Sequence, residues 1–320
     1  MTGIGYVPSI YKQYGEVISP MGCRAFLSPW YINGGIHKKD KNDRPVFVGR
    51  ANIGVVSLNL PMILAKSRRE CTDFYDELDY YLELIKKLHL RTYDYLSQMP
   101  ASTNPLAYCE GGFYGGHLNL SDKIEPVIRT FTASFGITAL NELQELYNQK
   151  SIAEDGQFAL EVMQHINEKI DEFKEETGYL FALYGTPAES LCGKQVEQFR
   201  KEFGIVKNVS DRKYVSNSFH CHVTEDITPV QKQDLEFRFW NTMNGGKIQY
   251  VKYPLGYNIS AMYSLIQRAM QMGFYEGCNM ALSYCDDCGH QELEMDVCPV
   301  CGSKNLTKIE RMNGLTFDER

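Results

Sequence analysis

The sequence of 320 residues predicts an α/β protein, because segments typical of strands alternate with segments typical of helices. A first strand is predicted at 53–60, where β-branched and apolar residues follow one another almost without interruption. A second is predicted at 179–184, and a third at 247–251, where apolar and polar residues alternate. At this length the chain can form one large domain or two ordinary ones.

Helices are predicted where apolar residues recur every three or four positions. Their ranges are about 72–99, 123–147, 159–173 and 259–272. The second of these is interrupted at Gly136. Another helix start is predicted directly after the second strand, where Thr186 suits the N-cap, Pro187 the first helical position and Glu189 the third position of a capping box. The first 50 residues are rich in turn formers and are predicted to be a loop.

Charge and hydropathy exclude several classes of protein. The formal net charge is -7, from 33 basic and 40 acidic residues, and neither sign forms a long run, which argues against direct binding of nucleic acid or of an anionic membrane. No apolar stretch approaches the roughly 18 residues of a membrane helix, and the start does not read as a signal peptide. We therefore expect a cytoplasmic protein whose ten cysteines stay reduced.

Four cysteines near the carboxyl end form two Cys-x-x-Cys pairs with nine residues between them: Cys285, Cys288, Cys298 and Cys301. A two-residue spacer lets both thiolates of a pair reach one ion at about 2.3 Å, and four sulfurs leave no open coordination position. The spacing predicts a structural Zn²⁺ site in a small ribbon that depends on the metal to fold. A redox dithiol is the alternative, and the usual spacings of iron–sulfur ligands differ.

A motif follows this cysteine cluster, Glu-Arg-Met-Asn-Gly-Leu at 310–315, which taken alone is typical of a turn. Arg-x-x-Gly shortly after a four-cysteine site resembles the glycyl-radical end of anaerobic (class III) ribonucleotide reductases. Four further segments resemble the same family in the family's order, and together with this motif they are spread over almost the whole chain. These are 19–24, with Ser-Pro-Met-Gly-Cys-Arg, then 50–61, 185–190 and 217–220.

The resemblance implies roles for individual residues. Gly314 would carry the stable radical, and Cys23 would become the transient thiyl radical that takes the 3′-hydrogen of the ribose. The residues implied for the substrate site are Met21, Asn52, Tyr184, Thr186, Ala188, Glu189 and Ser190, with the N–H groups of a helix start facing the phosphates. From the residues alone, Cys23 can equally be a small buried core residue and Asn52 a strand-end cap.

The resemblance also implies an architecture. Residues 1–280 would form the second half of a ten-stranded α/β barrel of the glycyl-radical-enzyme type, including a cysteine finger loop at about 15–50. A zinc ribbon at 281–305 and a glycyl radical loop at 306–320 would follow. Relatives carry some hundreds of residues ahead of the finger loop, and half a barrel exposes a strand edge and an apolar face. We therefore expect a split-gene product or a fragment that needs the amino-terminal half on another chain.

The implied function is that of an oxygen-sensitive reductase that converts ribonucleoside triphosphates to deoxyribonucleotides for DNA replication, as a homo-oligomer when assembled. A separate radical-SAM activating enzyme with a 4Fe–4S cluster would form the radical on Gly314, and formate or a thioredoxin-like dithiol would be the reductant. In this chain Leu315 stands where the family usually has tyrosine. The alternative is a non-enzymatic zinc-ribbon interaction or subunit protein derived from that family.

Two other sets of residues are interpreted as structural. His220 and His222, two positions apart, are expected to hydrogen-bond locally rather than to bind a metal, because no matched carboxylate accompanies them. The remaining cysteines lie in apolar or helical settings and are expected to be inert: Cys71, Cys109, Cys192, Cys221 and Cys278.

Overall fold

The computed structural model describes residues 8–18, 20–22, 24–252, 258–279, 282–293, 295–312 and 315–319. Its helices are α1 (Pro8–Tyr14), α2 (Leu60–Glu70), α3 (Phe74–Ser97), α4 (Pro105–Tyr108), α5 (Glu125–Ile128), α6 (Leu140–Asn148), α7 (Gln157–Thr177), α8 (Glu189–Phe203), α9 (Pro229–Trp240) and α10 (Ile259–Met272), with one 3₁₀ turn at Ala101–Thr103. Its strands are β1 (Trp30–Tyr31), β2 (Pro45–Val46), β3 (Asn52–Asn59), β4 (Thr132–Thr138), β5 (Leu180–Gly185), β6 (Gln249–Lys252), β7 (Glu276–Asn279), β8 (Leu282–Cys285), β9 (Gln291–Leu293), β10 (Leu306–Met312) and β11 (Leu315–Glu319). Within the described part of the chain, no helix is long and apolar enough to cross a membrane.

Five parallel strands organise the larger part of the molecule. β3, β4 and β5 form one parallel sheet in that order, and β6 and β7 form a parallel pair. A parallel bridge between Tyr184 of β5 and Gly246, three residues before β6, connects the two. Helices follow each of the first four strands, so the predicted α/β class is confirmed.

The three-stranded sheet has two chemically different faces. The ring of Phe135 lies 5.9 Å from that of Phe173 on α7, and Ile137 belongs to the same hydrophobic core. Because side chains alternate along a strand, Ser134 faces the opposite side, as would a Cβ added at Gly136. We call that side the polar face of the sheet. It carries Asn52, Ser57, Thr132, Ser134 and Gly136.

Three of the predicted helices are confirmed. α3 and α7 lie within two or four residues of their predicted bounds, α10 coincides with its predicted range, and α7 ends at Gly178, whose φ of +71° is the left-handed C-cap that glycine favours. The second predicted strand corresponds to β5, and the third overlaps β6.

The predicted helix at 123–147 is wrong. The structure divides this range into α5, β4 and α6. All seven residues of β4 are buried, yet polar and apolar residues alternate along the strand, with Ala133, Phe135 and Ile137 as the apolar positions. This alternation is typical of a strand, but the prediction treated Gly136 as an interruption within one helix. Its polar face is covered by the segment around Ser28 and its apolar face packs against α7, so both faces of the strand are buried.

Other elements were not predicted. The first 50 residues, expected to be a loop, contain α1 and the short β1–β2 pair. Helix α9 was also missed, although its start carries a recognisable signal: Thr228 and Gln231 form a capping box around Pro229.

Candidate active site and metal centre

The segment that resembles the cysteine finger loop is held against the end of β5. Met21 and Ala25 exchange two backbone hydrogen bonds of 2.9 and 3.1 Å, which close a short loop. Ala25 also forms an antiparallel bridge with Gly246, and Gly246 forms a parallel bridge with Tyr184. The structure thus brings Met21 and Tyr184, two of the predicted site residues, into one neighbourhood. Cys23, which lies between Met21 and Ala25 in the sequence, is outside the described residues.

A glycine is required where the loop meets β5. A Cβ atom at Gly246 would lie 2.1 Å from Cε2 of Tyr184 and 2.7 Å from the carbonyl oxygen of Arg24. Neither atom can move far, because one belongs to a packed aromatic ring and the other to the backbone. The close approach of loop and strand therefore depends on the missing side chain at 246.

Arg24, next to the predicted radical cysteine, is completely buried. Its Nη1 donates to the carbonyl of Gly185 at 3.5 Å, and its guanidinium carbon lies 5.5 Å from the ring centroid of Tyr250. The backbone N–H of Lys247 donates to the carbonyl of Arg24 at 3.0 Å. Arg24 therefore fixes the loop to Gly185, the last residue of β5.

The chain then crosses the polar face toward the starts of the strands. Ser28 donates twice there, from its N–H to Oγ1 of Thr132 at 3.1 Å and from its hydroxyl to the carbonyl of Phe181 at 2.9 Å. Arg50 donates to the carbonyl of Ser28 at 2.9 Å. These bonds cover the polar face with the predicted finger-loop segment.

Asn52 lies at the amino end of β3. Its side-chain amide donates to Oγ of Ser134 at 2.6 Å and accepts from the N–H of Gly54 at 2.8 Å. The strand register aligns Asn52 with Thr132, whereas Tyr184 aligns with Gly136, four residues further along β4. Asn52 thus shares the polar face with the other predicted residues but lies about 13 Å from Tyr184 along the strand direction.

The turn after β5 differs from its prediction. α8 begins at Glu189 with Ala188 as N-cap, so the capping box predicted from Thr186 is wrong. The hydroxyl of Thr186 instead lies 2.7 Å from that of Ser57, and its N–H donates to the carbonyl of Ile137. Tertiary contacts with β3 and β4 outweigh the local cap. A phosphate at this turn would face the N–H groups of the first helical turn, at Glu189 and Ser190.

Residues 217–220, the fourth segment of the resemblance, lie against the same turn. Oδ1 of Asn217 accepts from the N–H of Ala188 at 3.4 Å, and a Cβ at Gly185 would lie 2.1 Å from Oγ of Ser218. The neighbouring Ser216 donates from its hydroxyl to the buried carboxylate of Glu142 at 2.6 Å. Burial raises the pKa of Glu142, against the hydrogen bonds from Ser216.

His220 has an acidic partner that the sequence did not indicate. Its Nδ1 lies 3.0 Å from Oε2 of Glu236, which also pairs with Lys232. Burial lowers the pKa of His220 to about 4, so the imidazole is neutral at pH 7. His222 matches the expectation, since its Nδ1 bonds the hydroxyl of Thr224 at 2.8 Å. His220 and Glu236 are 16 residues apart in the sequence, so no local motif indicates that they pair.

The four clustered cysteines converge on one point. Their sulfurs all lie within 4.8 Å of one another, with Cys285 and Cys301 3.4 Å apart and Cys288 and Cys298 3.5 Å apart. Burial raises the pKa of Cys298, but backbone N–H groups at Cys301 and Val300 outweigh it and hold that pKa at about 6. Donors aimed at a thiolate suit a metal ligand.

Two equivalent turns aim the sulfurs. The N–H of Gly289 donates to the carbonyl of Cys285 at 2.8 Å, and the N–H of Gly302 donates to that of Cys298 at 2.9 Å. Both glycines have φ near +70°, a conformation that other residues rarely adopt. The four thiols are thus arranged so that they could hold one metal ion.

The predicted radical loop continues the sheet that carries this centre. β8, β9, β10 and β11 form an antiparallel sheet in the order β11-β10-β8-β9, in which Leu306 pairs with Cys285. At the far end of the hairpin, Met312 pairs with Leu315. Gly314 lies outside the described residues.

Curated relatives resemble the chain over most of its length. It is 32% identical over 312 residues to the anaerobic ribonucleoside-triphosphate reductase of Haemophilus influenzae and 31% identical over 315 residues to that of Escherichia coli. Each alignment covers 94% of this chain and 43% of the relative. The enzyme of the same name from enterobacteria phage T4 is 31% identical, with 93% of this chain and 49% of the relative covered. The chain therefore spans less than half the length of these relatives.

Solved structures show the same fold. The anaerobic ribonucleotide reductase from Thermotoga maritima with glycerol in the active site superposes with a TM-score of 0.63 at 19% identity, over 82% of this chain and 41% of the other. The complex of that enzyme with dATP and CTP gives 0.63 at 20% identity, over 85% and 45%. A family model described as anaerobic ribonucleoside-triphosphate reductase matches residues 4–316. Because this match covers nearly all 320 residues, the chain belongs to the anaerobic ribonucleoside-triphosphate reductase family.

Proposed function

We propose that this chain is the catalytic, radical-bearing part of an oxygen-sensitive anaerobic ribonucleotide reductase, which converts ribonucleoside triphosphates to deoxyribonucleotides. One observation carries the proposal most directly. The loop closed by Met21 and Ala25 is held beside Tyr184 through Gly246, at the end of β5 where the turn 185–190 begins. A thiol in that loop would thus be presented next to a helix start that can bind phosphates.

The chemistry would run between two residues of this chain. The α-carbon radical of Gly314 takes the hydrogen atom of the Cys23 thiol, which leaves an intact glycine and a thiyl radical. The thiyl radical then takes the 3′-hydrogen of the ribose and returns it after the 2′-hydroxyl has left as water. Both residues belong to the range that the family model matches, which supports this assignment.

The substrate would lie along the end of β5. The N–H groups at Glu189 and Ser190 would bind its phosphates, with Ala188 at the N-cap, and Thr186 would position the turn through Ser57. Tyr184 and Met21 would flank the ribose. Asn52 would reach the substrate from the polar face, with its amide oriented by Ser134.

The zinc ribbon at 281–305 would support the radical loop at 306–320. The four cysteines would hold a structural Zn²⁺, because four converging thiols and no carboxylate suit that ion. β8, which ends at Cys285, pairs with β10, which leads toward Gly314. Metal binding would therefore fix the strand that carries the radical residue. A radical-SAM enzyme would install the radical, and formate or a thioredoxin-like dithiol would supply the electrons.

The catalytic unit would include the amino-terminal half of the reductase on another chain. Five parallel strands are half of what a ten-stranded α/β barrel needs. Among the described residues β3 pairs with β4 alone, so one edge of this sheet can accept a further strand. The chain spans less than half of its relatives, and their remaining length is a natural source of that strand.

The surface beside β3 suits such a partner. Helix α3 exposes an apolar stripe with a spacing of three or four residues, interrupted by Arg91: Tyr80, Leu84, Leu88 and Tyr95. A cavity of about 560 Å³ adjoins the stripe and is lined by Leu84, Leu88 and by Val56 of β3. A Leu84→Glu substitution should weaken the complex with the amino-terminal half in native mass spectrometry. The matched control Val230→Glu, equally exposed on α9, should not.

Electron paramagnetic resonance tests the function. The chain, combined with its amino-terminal half and activated without oxygen by the radical-SAM enzyme, should give the doublet of a glycyl radical. Gly314→Ala should abolish it, while Gly193→Ala, a glycine in α8 away from the loop, should retain it. A doublet that persists in Gly314→Ala contradicts the assignment.

A cysteine substitution separates radical storage from catalysis. Cys23→Ser should keep the glycyl doublet but form no deoxyribonucleotide, whereas Cys71→Ser, at an exposed cysteine, should keep both. Full reduction of the substrate by Cys23→Ser would remove the thiyl step. Nothing in the described part of the chain favours the non-enzymatic zinc-ribbon alternative over the reductase.

A further inference from the structure

A second cavity lies apart from the candidate active site. Its volume is about 520 Å³, and it is enclosed by α1, by the finger-loop segment 26–29 and by the residues after α9. Ser28 places it near the starts of the strands, because this residue bonds Thr132 and Phe181 at the amino ends of β4 and β5. The turn 185–190 lies beyond the opposite end of the same strands. None of the predicted substrate-site residues lines this cavity.

The cavity is basic although the chain is acidic overall. Lys174 of α7 and Lys247 both line it, and the described lining residues include no aspartate or glutamate. Nζ of Lys247 donates to the carbonyl of Trp240 at 2.6 Å and lies 4.7 Å from the centre of that indole ring. An ammonium group has three donors, so this bond leaves two for a ligand.

Lys247 is held in this position without a carboxylate partner in the cavity. Its side chain is buried, and burial lowers its pKa to about 7. Lys174 is partly exposed and pairs with Asp171 at 2.7 Å outside the lining. An anion between the two amines would offset the cost of burying the charged form of Lys247.

The rest of the wall suggests the shape of the ligand. Asn241 and Asn244 add polar residues to the lining, and Phe26, Phe47 and Met243 add apolar ones. The exposed Gln13 of α1 marks an opening to the surface. We propose that this cavity binds a small organic oxyanion, a phosphate ester or a carboxylate with an apolar or aromatic body, through Lys247 and Lys174. This inference does not depend on the reductase activity.

Calorimetric titration of the chain with phenyl phosphate tests the proposal, with phenol as the neutral analogue and benzoate as the carboxylate. Phenyl phosphate or benzoate should bind at one site, at least about tenfold more tightly than phenol. Lys247→Met should weaken that binding by at least about tenfold, and Lys174→Met by several-fold. Lys169→Met, a lysine of α7 outside the cavity, should leave it unchanged.

Three results would overturn the proposal: no binding of either oxyanion, equal affinity for phenol, or affinity that neither lysine substitution in the cavity changes. The last result would also be expected if the oxyanion bound at the turn 185–190 instead. Circular dichroism establishes whether Lys247→Met is folded. If it is not, the partly exposed Lys174 decides the outcome through Lys174→Met.

Discussion

Oγ of Ser57 on β3 and Oγ1 of Thr186 in the turn after β5 lie 2.7 Å apart, although β3 and β5 are not neighbouring strands. β4 runs between them, and the contact passes over Gly136. A Cβ at this glycine would lie 2.3 Å from the Thr186 oxygen and 2.5 Å from the Ser57 oxygen. The glycine thus leaves the space in which β3 anchors the turn that follows β5.

Gly136→Ala should therefore destabilise the fold by about 1–3 kcal/mol, because the added methyl group has to displace two hydroxyl groups on a packed face. Urea unfolding followed by circular dichroism measures the change. Gly193→Ala is the matched control, since its Cβ would first meet the carbonyl of Lys213 at 3.7 Å. That variant should be as stable as the parent or slightly more stable. Equal stability of the two variants would refute the steric argument.

A double-mutant cycle measures the hydroxyl pair itself. Ser57→Ala and Thr186→Val should each destabilise the chain, and together by less than their sum, with a coupling of about 0.5–1.5 kcal/mol. Ser57→Ala combined with Ser264→Ala, at a serine of α10 bonded within its own helix, should be additive. Additivity of the first pair as well would mean that the hydroxyls do not interact.

The parts of the fold that the sequence predicted are those whose patterns are local. α10 could be placed correctly because its apolar positions repeat with a helical period and Gly273 ends it in the left-handed conformation. β4 was missed although polar and apolar residues alternate from Thr132 to Thr138, because the range 123–147 was interpreted as one helix interrupted at Gly136. The helix start predicted at Thr186 had the right local residues, but contacts with Ser57 and Ile137 use its hydroxyl and N–H instead.

The candidate site shows the same division. The four cysteines were identifiable because ligand spacing is a property of the local chain. Glu236 as the partner of His220 and Gly246 as the contact of Tyr184 were not, since 16 and 62 residues separate the members of these pairs. Only folding of the sheet brings them together.

Removal of the metal should unfold the carboxyl-terminal sheet but not the α/β part. Purified chain should contain one zinc ion by mass spectrometry, and Cys298→Ser should lower that content strongly, because three thiolates bind zinc less tightly than four. Limited proteolysis should then cut within 282–319, while the core around Phe135 stays protected. Cys71→Ser controls for general thiol effects. Full zinc occupancy in Cys298→Ser would contradict the assigned ligand set.

The buried Lys247 should make stability depend on pH. Its pKa is about 7 in the folded chain against 10.5 for a free lysine, so the unfolded chain binds more protons between these values. The free energy of unfolding should therefore rise as pH increases from about 7 toward 10.5, and the penalty of burying the amine, on the order of 5 kcal/mol, is fully present below pH 7. Lys247→Met should flatten this rise in urea unfolding measured at a series of pH values. Lys201→Met, at an exposed lysine of α8, should keep it. If the rise is identical in the parent, in Lys247→Met and in Lys201→Met, groups other than Lys247 control the change in stability above pH 7.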